Sequence, residues 1–281
     1  MKSVWILVFA VLIFQQMKLK AQFLEPDCGT TINLPATTRI VGGRDAEIGS
    51  SPWLAYLHIN SFLICAGTLI TRRFVLTAAH CMDQAHMLTV RLGEHDISTK
   101  WDCTMYICMP PYEEYEVEYG YRHYLFDKNI GQSYDIGLLK LKGTVEFKVH
   151  IRPICLIKNP NQVRHSATYE ATGWGKTDLI NSATTLQTVT LIKLNPSECE
   201  RSLRTSLGWG QICAGKRRAD TCSGDSGGPL VHRMSNGQII RTIQFGIVSY
   251  GNKLCRGPGV YTDVLNFTNW IVDVTRWASY S

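Results

Sequence analysis

The sequence predicts an all-β fold, largely antiparallel, finished by a single helix near its C-terminal end. Two observations predict it. From Ile40 onward, short and partly alternating apolar runs, among them residues 74–78, 88–92, 136–141 and 239–248, are broken by Gly, Pro, Asn and Asp. That is the pattern of strands joined by tight turns. Helical spacing appears only near the end, where Phe267, Trp270, Ile271, Val274 and Trp277 recur three and four residues apart, so one apolar face is expected to dock on the β structure.

With 281 residues, 45% of them hydrophobic and 19% charged, the chain has the composition of a folded protein with a substantial core, in one large domain or two fused halves. Met1 and Lys2 lead into an apolar run over residues 4–14, then polar residues and the small Ala21. This reads as a signal peptide over residues 1–21. The run is shorter than the roughly 20 residues a helix needs to span a bilayer, so a retained membrane anchor is the weaker reading. Loss of that segment removes Lys2, Lys18 and Lys20, and the formal charge of +6 falls to +3. So mild an excess does not point to nucleic acid.

Ten cysteines behind a signal peptide imply a secreted, extracellular protein with up to five disulfides. No C-x-x-C pair or finger-like Cys/His spacing occurs, which argues against zinc. Residues 22–39, with Pro26, Gly29, Pro35 and a Thr-rich end at Arg39, read as a linker or pro-segment.

Three local segments carry chemistry: Thr77-Ala78-Ala79-His80-Cys81, Asp135-Ile136-Gly137-Leu138-Leu139 and Gly224-Asp225-Ser226-Gly227-Gly228-Pro229. Singly, each has a bland explanation: a core histidine, a turn aspartate, a tight glycine turn. In this order, inside a cysteine-rich secreted chain, they resemble the chymotrypsin/trypsin-like (S1) serine peptidases over residues 40–277. The resemblance implies two packed antiparallel six-stranded Greek-key barrels with a C-terminal α-helix, and a peptidase domain over 40–277.

It also implies that Ser226 is the nucleophile, that His80 is its general base, and that Asp135 fixes the imidazole tautomer. A serine hydroxyl is a poor nucleophile unless a base takes its proton. Glycines flank Ser226 because the turn needs conformations closed to bulkier residues. The N–H groups of Gly224 and Ser226 would form the oxyanion hole, where one lost donor typically costs ~3–4 kcal/mol. Ser249 takes the position that bonds the triad aspartate. Asp220, six residues before Ser226, lies where the family receives the side chain before the scissile bond, and Gly251 and Gly259 match the pocket walls, which implies cleavage after Arg or Lys. Thr221 does not rank the two.

Arg39 followed by Ile40-Val41-Gly42-Gly43 resembles the family's activation site. Cleavage there would free the Ile40 amine to pair with Asp225, and removal of one partner of such a buried pair costs about 3–5 kcal/mol. The resemblance further implies the disulfides Cys65–Cys81, Cys199–Cys213, Cys222–Cys255 and Cys28–Cys155, the last tethering the pro-segment after activation, with Cys103–Cys108 closing a small loop. Tether and loop resemble insect clip-domain serine proteases, without the clip domain itself.

The expected partners are protein substrates, an upstream activating protease and a serpin-type inhibitor, with no nucleic acid or membrane. No cofactor is expected. Pro258 replaces the tyrosine of sodium-activated relatives, and Glu94 matches one ligand of a calcium loop whose other ligands the Cys103–Cys108 insertion displaces, so Glu94 reads as a solvated side chain, with calcium as the alternative. Lys216-Arg217-Arg218 reads as a solvated loop, with autolysis or substrate steering as alternatives. Asn266-Phe267-Thr268 is a glycosylation sequon. The activity implied is limited proteolysis in an extracellular immune or developmental cascade; a digestive trypsin and an inactive adaptor are the alternatives.

Overall fold

The structure, a computed structural model, describes residues 23–32, 44–129, 132–175, 183–216, 224–236, 239–252 and 257–279. Arg39, Ile40, Asp220, Thr221, Cys222 and Cys255 lie outside them, and with them the expectations for the activation bond, the pocket aspartate and the Cys222–Cys255 pair.

The first barrel comprises β2 (Leu54–Ile59), β3 (Phe62–Thr71), β4 (Phe74–Thr77), β5 (Thr89–Leu92), β6 (Glu113–Arg122) and β7 (Gly137–Leu141), closed in the order β2-β3-β4-β7-β6-β5. The second comprises β8 (Thr168–Gly173), β9 (Gln187–Lys193), β10 (Gln211–Lys216), β11 (Pro229–Asn236), β12 (Ile239–Tyr250) and β13 (Gly257–Asp263). Its strands follow β8-β9-β10-β13-β12-β11, pairing of β11 with β8 closes the ring, and the short β1 (Arg44–Asp45) adds to the outside of β9. Both barrels therefore share one strand order, and every strand pair is antiparallel.

The apolar runs become β4, β5, β7 and β12 because their side chains are buried on both faces of the sheets: Phe74, Val75, Leu76, Val90, Leu92, Leu138, Leu139 and Leu141 in one core, Phe245 and Ile243 in the other. At roughly 1.5–3 kcal/mol per buried large apolar side chain, these cores supply most of the folding drive. β6 alternates instead, with Glu114, Glu116 and Glu118 on its wet face and Tyr115 and Val117 packed inward. The glutamates pair with Arg91, Lys142, Lys140 and Arg73 of neighbouring strands and loops.

Two helices complete the fold. The helix α1 (Pro196–Leu203) starts in a capping box in which Asn195 accepts from the Ser197 amide and Glu198 accepts from the Asn195 amide, which satisfies amides that helix geometry leaves open. The helix α2 (Thr268–Trp277) follows a 3₁₀ turn over Val264–Phe267, whose Leu265 amide is bonded by Asp263. Phe267 and Ile271 are buried as the sequence predicts, with Trp270 and Val274 packed beside them. Trp277 departs from that face: it is 65% exposed and lies edge to face with Tyr121, ring centres 5.9 Å apart. No described helix is long and apolar enough to cross a membrane.

Residues 23–32 are bound to the second barrel. Cys28 is bonded to Cys155, Phe23 bridges Ile157 and is buried in the core, and the Gly29 amide and carbonyl bond Pro153 and Thr242. A Cβ at Gly29, which has φ +67°, would lie 2.6 Å from the Thr242 oxygen, so the turn beside Cys28 admits only glycine. Disulfides also join Cys65–Cys81, Cys103–Cys108 and Cys199–Cys213.

Candidate active site

β4 delivers the chain into a 3₁₀ turn, Ala79–Met82, that carries His80. Ala78 and Ala79 are fully buried, and Cys81 is bonded to Cys65 on β3, so the imidazole stands on a turn clamped from both sides. Asp135 stands just ahead of β7, which pairs with β4, and its residue is wholly buried.

Its carboxylate accepts from the His80 amide at 2.9 Å, lies 2.7 Å from His80 Nδ1, and accepts from Ser249 Oγ at 2.5 Å. A buried anion needs such donors. They also orient the ring, with Nδ1–H toward the carboxylate and Nε2 left as the basic nitrogen. The main-chain oxygen of Asp135 accepts from Thr262 Oγ1 at 2.8 Å, a contact not foreseen from sequence.

Ser226 arrives from the second barrel at the same seam. Its carbonyl accepts from the Ala66 amide of β3 at 2.8 Å, and the Gly227 amide donates to Val248 at 2.8 Å. Gly227 has φ +79°, and a Cβ there would fall 2.2 Å from Thr77 Oγ1, so the turn after the serine abuts the strand that leads to His80. Among the described residues, Ser226 Oγ makes no hydrogen bond to the imidazole; substrate-free sites often close this contact only on binding.

Gly224 has φ +103° and sits against Gly175, where a Cβ would be 3.0 Å from the Gly175 Cα. The Asp225 carboxylate accepts from the Gly175 amide at 2.8 Å, and a Cβ on Gly173 or Gly175 would intrude on it at 2.1 or 2.5 Å. Three consecutive residues, Gly173, Trp174 and Gly175, therefore form its cradle. Gly259 is buried on β13 opposite Ala214, and Gly251 is exposed beyond Ser249. Asn266 is exposed with its amide on Asp263, while Thr268 of the sequon is buried.

Metal ligation does not fit the candidate groups. Cys65, His80 and Cys81 lie within 4.8 Å of one another, but the two sulfurs are one disulfide. Glu94 has both oxygens engaged, one by Arg91 at 3.0 Å and one by the His95 amide at 2.9 Å. Burial pushes its carboxyl pKa up, and the Arg91 guanidinium already pairs with it.

A family model, Trypsin, matches residues 40–271. The chain belongs to the trypsin family. This trypsin-family protein is 34% identical to Serine protease grass of Drosophila melanogaster over 271 residues, 88% of this chain and 69% of that one. It is 34% identical to Phenoloxidase-activating enzyme 1 of Spodoptera litura over 249 residues, 83% of this chain and 66% of the relative. The crystal structure of the Drosophila Grass clip serine protease of the Toll pathway superposes with a TM-score of 0.76 at 34% identity, covering 89% of this chain and 75% of that one. The chain thus spans about two thirds of the length of these curated relatives. The trypsin-family barrels described above, and a serine endopeptidase activity, follow from that membership.

Proposed function

We propose that this endopeptidase is a secreted zymogen that cuts protein substrates after Arg or Lys, with Ser226 as nucleophile, His80 as general base and Asp135 as its orienting anion. The carrying observation is the wholly buried Asp135 carboxylate, which takes three hydrogen bonds, two from His80 and one from Ser249. A carboxylate desolvated to that degree stabilises the imidazolium that forms when His80 takes the serine proton. His80 then returns the proton to the leaving amine. The amides of Gly224 and Ser226 hold the oxyanion.

Asp220 would receive the cationic side chain, and cleavage of Arg39–Ile40 would free the amine that settles against Asp225. The fit of Asp225 into the Gly173–Gly175 cradle supports this switch. Limited proteolysis in an extracellular cascade, with an upstream activating protease and a serpin-type inhibitor, is favoured over digestion by the Cys28–Cys155 bond, which keeps the pro-segment attached. The named relatives, a phenoloxidase-activating enzyme and a Toll-pathway protease, support the same role. An adaptor role is disfavoured because His80, Asp135 and Ser226 are all present.

The test is to cleave the purified zymogen at Arg39 and profile a peptide library. Hydrolysis is expected only after cleavage and only after Arg or Lys. Ser226→Ala should lose on the order of a million-fold in turnover; activity retained by that variant, or full activity in the uncleaved chain, would overturn the reading.

A further inference from the structure

We propose that Asp102 is a positioning residue for the Gly224–Ser226 turn, acting through the His95–Asp96 peptide and the indole of Trp174. The inference rests on the serine-protease reading above. Asp102 lies in the segment that ends in the Cys103–Cys108 loop, far in sequence from every residue of the site. Its carboxylate is buried and makes no salt bridge among the described residues; Oδ2 accepts from the His95 amide at 3.1 Å, an amide it shares with Glu94 Oε1 at 2.9 Å, and Oδ1 accepts from the Asp96 amide at 3.2 Å and Thr99 Oγ1 at 2.8 Å. The Met109 amide donates to the Asp102 carbonyl at 2.8 Å, so the disulfide loop closes on this one residue.

Of the amides bound to the Asp102 carboxylate, that of Asp96 shares its peptide plane with the His95 carbonyl, so the bond to Oδ1 holds the plane that presents this carbonyl to the second barrel. That oxygen accepts twice, from Trp174 Nε1 at 3.1 Å and from the Leu186 amide at 2.9 Å. Asp96 and Ile97 continue the seam, bonding Thr185 and Thr184. Trp174 is fully buried, edge-on to Tyr56 at 5.4 Å. The next residue, Gly175, gives its amide to the Asp225 carboxylate, and Asp225 adjoins Ser226. A planar indole that can neither tilt nor withdraw fixes the Gly175 amide, and the Gly175 amide fixes where Asp225 points.

The path thus runs by hydrogen bonds from the Asp102 carboxylate through one peptide to the Trp174 indole, then along the main chain to Gly175, whose amide bonds the residue beside the nucleophile. Loss of the Asp102 carboxylate leaves the Asp96 amide without this acceptor and weakens the hold on the His95–Asp96 peptide, which loosens Trp174 and lets Asp225 leave its cradle. The cleaved enzyme then spends part of its time with a zymogen-like oxyanion turn and an exposed Ile40 amine.

The test uses the full chain cleaved at Arg39, in wild-type form and as Asp102→Ala, Asp102→Asn, Trp174→Phe and the Asp102→Ala/Trp174→Phe double variant. The readouts are kcat and KM on an Arg amide, and the rate at which cyanate, which carbamylates a free amine, inactivates the enzyme. Asp102→Ala is expected to lower kcat about tenfold and to speed cyanate inactivation several-fold, with Asp102→Asn, which keeps one acceptor, lying between. Because both residues act on one peptide, the double variant should lose no more than the worse single one.

Wild-type kcat and cyanate rate in Asp102→Asn and Asp102→Ala, or losses that simply multiply in the double variant, would overturn the proposal. A purely structural role lowers the melting temperature without altering cyanate sensitivity, and that outcome overturns it too. If Asp102→Ala does not fold, the isosteric Asp102→Asn and Trp174→Phe carry the same readings. An inactive, cyanate-insensitive wild type would instead sink the underlying zymogen reading.

Discussion

Asp135 must be held at its backbone as well as at its carboxylate. Tyr134, just before it, has φ +60°, and its carbonyl accepts from the Ile136 amide at 2.8 Å, so the chain reverses tightly around the aspartate. The Tyr134 ring stacks on His123 at 5.2 Å and 16°, which holds a conformation that a non-glycine residue adopts at a cost. Thr262 Oγ1 completes the support on the Asp135 carbonyl. Thr262→Val keeps the shape and deletes the donor, leaving a buried carbonyl unpaired, at about 1–3 kcal/mol. Its melting temperature and kcat should both fall, and Thr262→Ser should restore both; a Val variant with wild-type values would show that the bond does not matter. His80, Asp135 and Ser226 were legible as candidates because each lies in a distinctive local string. Thr262 and Asp102 were not, because their importance comes from partners in strands and loops that only the folded barrels bring near.

At the scale of elements, the segment 23–32 behaves as part of the second barrel although it precedes the first. The Cys28–Cys155 bond spans 127 residues, and Phe23, Leu24 and Gly29 add core burial and main-chain bonds. Removal of a native disulfide typically costs 2–5 kcal/mol, so Cys28→Ser/Cys155→Ser should melt measurably lower. Once cleaved at Arg39, the same variant should release its N-terminal peptide in non-reducing mass analysis, whereas the wild type retains it. Retention by the variant would mean that the noncovalent contacts suffice. Cysteine pairing was readable here only by resemblance, since ten cysteines admit many connectivities. The α2 helix shows the complementary limit: its 3.6-residue period located the helix and the buried Phe267 and Ile271, but could not show that the barrel surface ends before Trp277. Exposure of that ring is set by the neighbour, β6 with Tyr121, and not by the period.

At the scale of the whole molecule, periodicity revealed strands but not their closure into two rings of equal order, because closure depends on pairings such as β2 with β5 and β11 with β8 that join distant segments. Closure also sets the pH response. His58, His95, His123 and His150 all lie in or between the closed sheets, and burial pushes each pKa below the ordinary 6.5. The unfolded chain therefore binds protons at these residues before the folded chain does, and stability present above the ordinary value is lost as pH falls toward the folded values. Burial moves Glu25 and Glu94 up, which relieves a penalty on the folded state as pH falls, but mostly in the lower carboxylate range. Between about pH 7.5 and about pH 5.5 the histidines dominate, so the melting temperature should drop across that window. His123 is the cleanest probe, because burial alone shifts it and its ring is packed among Tyr124, Tyr134, Phe267 and Trp270. His123→Phe preserves the stack and removes one titrating group, at the loss of the Leu125 amide bond to Nδ1. Its melting temperature should depend less steeply on pH than that of the wild type, whatever its absolute value; an unchanged slope would mean that His123 titrates alike in the folded and the unfolded chain.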